Sequence, residues 1–244
     1  MKLVKDCKAI KIITRDEFKK LFLGDWGKVW GNDRITYTAN KLAALTGMRA
    51  SEVAGLRGEF LYEGYLYLCK QYDRFGYRDT KTKTSANIPL PASLVDDLNG
   101  LKKLNGDGFL FSCDGGGKLV SRGTLWIGLR RALRNIGISK EEISGRKLHF
   151  HGWRHFFNTE LLKGGLTVKQ VQAITRHTSE SMTELYTHFD PTEFEKASAV
   201  QEALLEPPVK KPGKETGQAA GDGEPRPNLL AFPAKNNVPE EKQA

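Results

Sequence analysis

Cysteine is scarce in this chain. Cys7, Cys69 and Cys113 are the only three, and they are widely spaced. An odd, scattered set excludes a disulfide framework and a cysteine-based zinc site. Free thiols, buried or partly buried, are expected, in a reducing compartment. Proline is nearly absent before Leu205, since seven of the ten lie beyond it. No run approaches the ~20 apolar residues that span a bilayer. The opening Met1-Lys-Leu-Val-Lys-Asp-Cys-Lys-Ala-Ile10 lacks the apolar core of a signal peptide. A cytoplasmic protein without a membrane partner is expected.

Acidic residues are outnumbered, 29 against 38 basic, giving a formal charge of +9 and a pI of about 9.4. The tail from Glu206 to Ala244 carries six of each sign, so the excess belongs to what precedes it. A basic body of this size suits a polyanionic partner. A soluble protein that happens to be basic fits charge alone equally well.

Residues 1–13 read as a basic lead-in. Thr14-Arg-Asp-Glu17 is a capping box and opens a helix with Phe18, Leu21 and Phe22 on one face. Gly24 to Asn32 reads as a turn region in which Trp26 and Trp30 pack. Tyr37 to Thr46 is an apolar helix broken by Gly47, and a short helix runs from Ala50 to Leu56. Leu66 and Leu68 then alternate with Tyr65 and Tyr67, a strand pattern. Ala86 to Leu90 is a second strand, with Lys81 and Lys83 between the two. Helices follow over Pro91–Leu104, over a basic stretch from Ser121 to Ile136 with Arg130, Arg131 and Arg134 outside, over His151–Leu162 and over Val168–Arg176. Ser179 to Ser181 starts a helix presenting Tyr186, and Pro191 opens a last helix to about Leu205. The expected fold is mainly α with a small antiparallel β-sheet in residues 14–205. Residues 206–244 form a Pro-rich tail, disordered by composition.

Chemistry concentrates in five short motifs: Thr46-Gly-Met-Arg49-Ala-Ser-Glu52, Asp79-Thr-Lys81-Thr-Lys83, His151-Gly-Trp-Arg154, Thr175-Arg-His177 and Thr183-Glu-Leu-Tyr186-Thr-His. Arginines fork onto phosphate oxygens. Lysine and histidine move or share protons. A tyrosine hydroxyl can attack phosphorus and hold it covalently. This is what phosphodiester cleavage needs without a metal. His151 and His155 are spaced i, i+4, but Gly, Trp and Arg intervene where a zinc hydrolase would carry a glutamate. No metal or other cofactor is therefore expected.

This ordered set resembles the tyrosine recombinase (phage integrase) family over about Thr14 to Leu205, its catalytic domain. Thr-Gly-Met-Arg-Ala-Ser-Glu-Val-Ala-Gly-Leu is similar to that family's Thr-Gly-x-Arg-x-x-Glu-x-x-x-Leu. The resemblance implies Arg49 and Arg154 as phosphate clamps, Lys81 as the acid for the departing 5′ oxygen, His151 as proton acceptor or phosphate support, His177 as a phosphate donor and Tyr186 as nucleophile. Glu52 would support Arg49 or Lys81. Lys81 lies eight residues before Pro89, the family spacing, with Lys83 as competitor. The family has Leu-Gly-His where this chain has Thr-Arg-His, so Arg176 replaces a glycine. It also implies double-stranded DNA as partner and self-association, as a recombinase tetramer, on it. Family members carry a helical core-binding domain ahead of the catalytic one. Here residues 1–13 precede the first helix, which fits a fragment or a reduced protein. A type IB topoisomerase and an idle integrase-derived DNA-binding module are the alternatives.

Overall fold

The computed structural model describes residues 12–73, 76–79, 85–176 and 191–206. Lys81, Lys83, His177 and Tyr186 lie outside these, as do Cys7 and nearly all of the expected lead-in and tail. Elements run in chain order as α1 (Arg15–Phe22), α2 (Trp26–Trp30), α3 (Arg34–Thr46), α4 (Ala50–Ala54), a 3-10 turn (Gly58–Phe60), β1 (Leu61–Tyr62), β2 (Tyr65–Leu68), β3 (Lys70–Asp73), β4 (Gly76–Asp79), β5 (Ala86–Pro89), α5 (Ala92–Asn105), α6 (Arg122–Asn135), α7 (Lys140–Gly145), α8 (Gly152–Lys163), α9 (Val168–Ile174) and α10 (Pro191–Leu205). The fold is mainly helical with small antiparallel sheets, as the sequence predicts.

Helix α3 is the hub. It is buried from Thr38 to Thr46, and α5, α6 and α8 pack around it. Gly128 on α6 permits the closest approach: a Cβ there would lie 2.5 Å from Thr36. Asn40 is fully buried, so its polar atoms need partners. Its Nδ2 donates to the carbonyls of Thr36 and Leu125, and its Oδ1 accepts from Trp153 Nε1 at 2.8 Å. One side chain thereby ties α3, α6 and α8 together. An aromatic cluster fills the space beside it, with Phe18 stacked on Phe156 at 5.2 Å and edge-on to Trp153.

The capping box at Thr14 forms as expected, and Ser121 and Thr167 cap α6 and α9. Several expectations need correction. Trp26 to Trp30 is helical rather than a turn, started by Asp25 and ended by Gly31 in a left-handed conformation. Both tryptophans pack as expected: Trp30 is buried, and Trp26, though substantially exposed, lies against the Tyr37 ring at 5.6 Å. Ile13, assigned to the lead-in, is fully buried in the core. Helix α7 went unread. The thiols divide: Cys69 is half-buried, but Cys113 is exposed, in a polar and glycine-rich stretch from Ser112 to Lys118. Arg130, Arg131 and Arg134 are exposed, as expected, and Arg131 also donates to Asp33 at 2.8 Å and to the Trp30 carbonyl at 3.0 Å.

The strands form two sheets where one was expected, β1-β2-β5 and the hairpin β3-β4. Leu66 and Leu68 point inward and Pro89 pairs with Tyr65 at the end of β5. In the hairpin, Lys70 pairs with Asp79, and their side chains form an ion pair at 2.9 Å. The hairpin packs on α4 at Gly55, where a Cβ would come within 2.8 Å of the Tyr72 backbone nitrogen. The hairpin is therefore seated on the helix that Arg49 begins. Helix α10 is anchored by Gln201, whose Nε2 donates to the Leu45 carbonyl at 2.8 Å. Among the described residues, no helix is long and apolar enough to cross a membrane.

Candidate active site

Gly47 sets the site up. It ends α3 at φ +63°, a left-handed conformation that glycine adopts without steric penalty. A Cβ at Gly47 would also sit 3.0 Å from Phe157 and 3.2 Å from Thr175. The chain then turns through Met48 into α4, with Arg49 as its extended N-cap. The Glu52 carboxylate reaches back, accepting the Arg49 backbone N–H at 2.8 Å and Arg49 Nη1 at 2.7 Å. Arg49 is thus oriented by the helix it starts.

Helix α8 delivers the second arginine. Arg154 is buried, with only 2% of its surface exposed. Its Nη1 donates to the Gly47 carbonyl at 2.9 Å, and its Nη2 donates to the Thr175 carbonyl. The next carbonyl, that of Arg176, accepts from Arg49 Nη2 at 3.2 Å. Consecutive carbonyls after α9 therefore receive the two arginines and bring them side by side, although 105 residues of sequence separate Arg49 from Arg154. His177 follows Arg176 directly in the chain.

His151 is the N-cap of α8, and its ring stands edge-on to His155 at 5.0 Å. Its pKa is pushed down to about 4, by desolvation and by the surrounding His155, Arg154, His149 and Arg49. The imidazole is therefore neutral at pH 7 and able to accept a proton. His155 is half-buried and lowered in the same direction, by desolvation and by His149 and Arg154. Among the described residues, no group of His, Cys, Asp and Glu is arranged to hold a metal ion.

Glu52 is 2% exposed. Burial alone would raise its carboxyl, but Arg176 and then Arg49 outweigh that and hold it below the usual range. Arg176 Nη2 lies 3.2 Å from Glu52 Oε2. Sequence reasoning noted Arg176 only as a replaced glycine and gave it no role. The signal was that same departure, Thr-Arg-His.

The phage integrase family model matches residues 31–193, which contain every one of the five motifs. The chain belongs to the phage integrase family. Among curated relatives, this integrase-family chain is 28% identical over 187 residues to tyrosine recombinase XerA of Pyrococcus furiosus, covering 72% of this chain and 57% of that protein. A shorter stretch of 75 residues is 37% identical to tyrosine recombinase XerD of Bifidobacterium longum, 31% of this chain and 22% of that protein. The chain thus spans at most little more than half the length of these relatives. Among solved structures, the fold is similar to the Tn1549 transposon integrase in complex with a circular intermediate DNA, with a TM-score of 0.56, 23% identity, and coverage of 82% of this chain and 67% of that one. Within this integrase-family fold, Arg49, Glu52, His151 and Arg154 come together, while Lys81, His177 and Tyr186 lie outside the described residues.

Proposed function

We propose that this chain carries the strand-cleaving and rejoining activity of a site-specific DNA recombinase. The observation that carries the reading is the pairing of Arg49 and Arg154 on the consecutive carbonyls of Arg176 and Thr175, with His151 at the start of the helix that delivers Arg154. A phosphodiester under attack gathers negative charge on its equatorial oxygens. Guanidinium donors fixed beforehand stabilise that state more than the ground state.

In this reading, Tyr186 attacks phosphorus and forms a 3′-phosphotyrosine link. His151 accepts the phenol proton, and His177 adds a hydrogen bond to the phosphate. The 5′ oxygen leaves with a proton from Lys81. Attack of a partner strand's 5′ hydroxyl on the phosphotyrosine reverses the step, rejoins the DNA and regenerates the tyrosine. The bond is conserved throughout, so the chemistry needs no ATP. The basic charge supports a DNA partner, as does the DNA in the Tn1549 integrase complex. Exchange between sites requires several copies of the chain, so we infer self-association on DNA. The family membership favours recombination over topoisomerase-like relaxation.

A nicked suicide duplex tests this. The wild-type chain should form a denaturant-resistant protein–DNA adduct, and Tyr186→Phe should form none. An adduct that persists in Tyr186→Phe would remove Tyr186 from the role.

A further inference from the structure

Arg176 occupies a conformation that favours glycine. Its φ is +55°, and left-handed backbone crowds the Cβ of any other residue. A long charged side chain placed there would be expected to swing into water. Instead Arg176 is only 6% exposed, and its guanidinium is turned onto the buried carboxylate of Glu52. Oxygen Oε1 of Glu52 takes Arg49 Nη1, while Oε2 takes both the Arg49 backbone N–H and Arg176 Nη2. The carbonyl of the same Arg176 takes Arg49 Nη2. Arg176 therefore touches both members of the Arg49–Glu52 pair, one through its side chain and one through its backbone.

Two guanidiniums on one buried carboxylate have a physical consequence. A phosphate entering the site competes with Glu52 for Arg49. With Arg49 as sole partner, Glu52 would be left as an uncompensated buried charge, which is strongly unfavourable. A second cation on Oε2 keeps the carboxylate paired while Arg49 serves the phosphate. The three groups together carry a net positive charge, which also suits an anion. Resting on the cleavage reading above, we propose that Arg176 is a positioning residue for Arg49. It keeps Glu52 ionised and aligned through its side chain and steadies Arg49 Nη2 through its carbonyl.

Arg176→Gly and Arg176→Lys in the full chain test this. Glycine relieves the left-handed backbone, so the fold should be retained, which a thermal melt checks. Lysine keeps a cation against Glu52. Single-turnover cleavage of the suicide duplex should slow about tenfold in Arg176→Gly, below the ~10²-fold cost of a misplaced reacting group, and Arg176→Lys should recover most of the rate. Adding Glu52→Gln to Arg176→Gly should cost less than the two single effects combined, because both act on one contact. Carbon-13 NMR of the Glu52 carboxyl supplies a readout apart from activity. The charged groups facing Glu52 among the described residues are Arg49 from α4 and Arg176 from the turn after α9; Gln71, from β3, is neutral and bonds to Ser51 instead. The Glu52 midpoint should rise in Arg176→Gly and return toward wild type in Arg176→Lys. An active wild type with Arg176→Gly equally fast and its Glu52 midpoint unmoved would overturn this inference alone. So would a weaker salt dependence of DNA binding in Arg176→Gly at an unchanged midpoint, which marks a phosphate contact. A wild type that forms no adduct would overturn the cleavage reading, and this role with it.

Discussion

Arg154 Nη1 donates to the carbonyl of Gly47 across 107 residues of chain. The turn that aims Arg49 and the arginine that accompanies it are thereby one unit. Gly47 supplies the left-handed bend, and its carbonyl is an anchor for the buried guanidinium. Changes at either residue should therefore be felt at both arginines.

Gly47→Ala is predicted to destabilise the fold by about 2 kcal/mol or more. Left-handed backbone alone costs about 1–2 kcal/mol for an L-residue, and the added methyl meets Phe157 and Thr175. Urea unfolding measures this. An alanine variant as stable as the parent would show that Gly47 is not constrained as described.

The two arginines should respond differently to lysine. Both Arg49→Lys and Arg154→Lys lose the bidentate fork and should slow cleavage by about 10²-fold or more, the scale of one oxyanion donor. Arg154→Lys should also lower the melting temperature, because Arg154 is buried between two carbonyls. Arg49, whose side chain is 31% exposed, should leave the melting temperature nearly unchanged. Single-turnover rates beside thermal melts decide the matter, and equal melts for the two variants would contradict it.

His151 should titrate by NMR well below the ordinary histidine value, near 4. A group whose folded pKa is depressed favours the fold above its unfolded pKa of about 6.5. That contribution fades as pH falls from there toward the folded value. Binding a DNA phosphate should raise the midpoint, since an anion favours the imidazolium. A free-protein midpoint at 6.5 would refute the desolvation and charge crowding described around it.

Glu17 should matter for acid stability. Its carboxylate forks onto Arg146 at 2.6 and 2.8 Å, linking α1 to the end of α7. Burial raises its carboxyl, but Arg146 and the Thr14 N–H outweigh that and hold it below 4.5. The stability it supplies is full above the unfolded value and disappears as pH falls through the folded one. Glu17→Gln should cost about 2 kcal/mol at pH 7, as for hydrogen bonds to charged groups, with the gap from wild type narrowing as pH falls through the folded carboxyl value. Urea titrations over a falling pH series compare the two, and a gap that stays constant with pH would count against the pair.

Lys81 and Lys83 are separable by a 5′-bridging phosphorothioate. A sulfur leaving group needs no acid, so Lys81→Ala should be slow on normal DNA and recover on the sulfur substrate. Lys83→Ala should lose only a little affinity and salt dependence. Rescue of Lys83→Ala instead would exchange the two roles.

Much of the helical order was legible because the signals are local. Capping residues at Thr14, Ser121 and Thr167 act within one turn, and the Leu66–Leu68 alternation is a nearest-neighbour pattern. Helix α2 was missed because Trp26-Gly-Lys-Val-Trp30 is too short to show a period. Its stability comes from Trp30 packing against Phe22 and Tyr37. Splitting of the strands into two sheets depends on Gly55 admitting β3 to α4, which no strand pattern encodes.

By itself, the sequence determined which chemical groups are present and in what order, because residue type alone sets whether a side chain can fork, share a proton or attack phosphorus. It also marked Gly47 as the break before Arg49. Only the tertiary structure decided that Arg49 and Arg154 meet on adjacent carbonyls. It likewise decided that Arg131 is spent on Asp33, and that Arg176 turns inward to share Glu52. Those outcomes depend on contacts between segments far apart in the chain, where burial leaves each charge and carbonyl only the partner that folding brings to it.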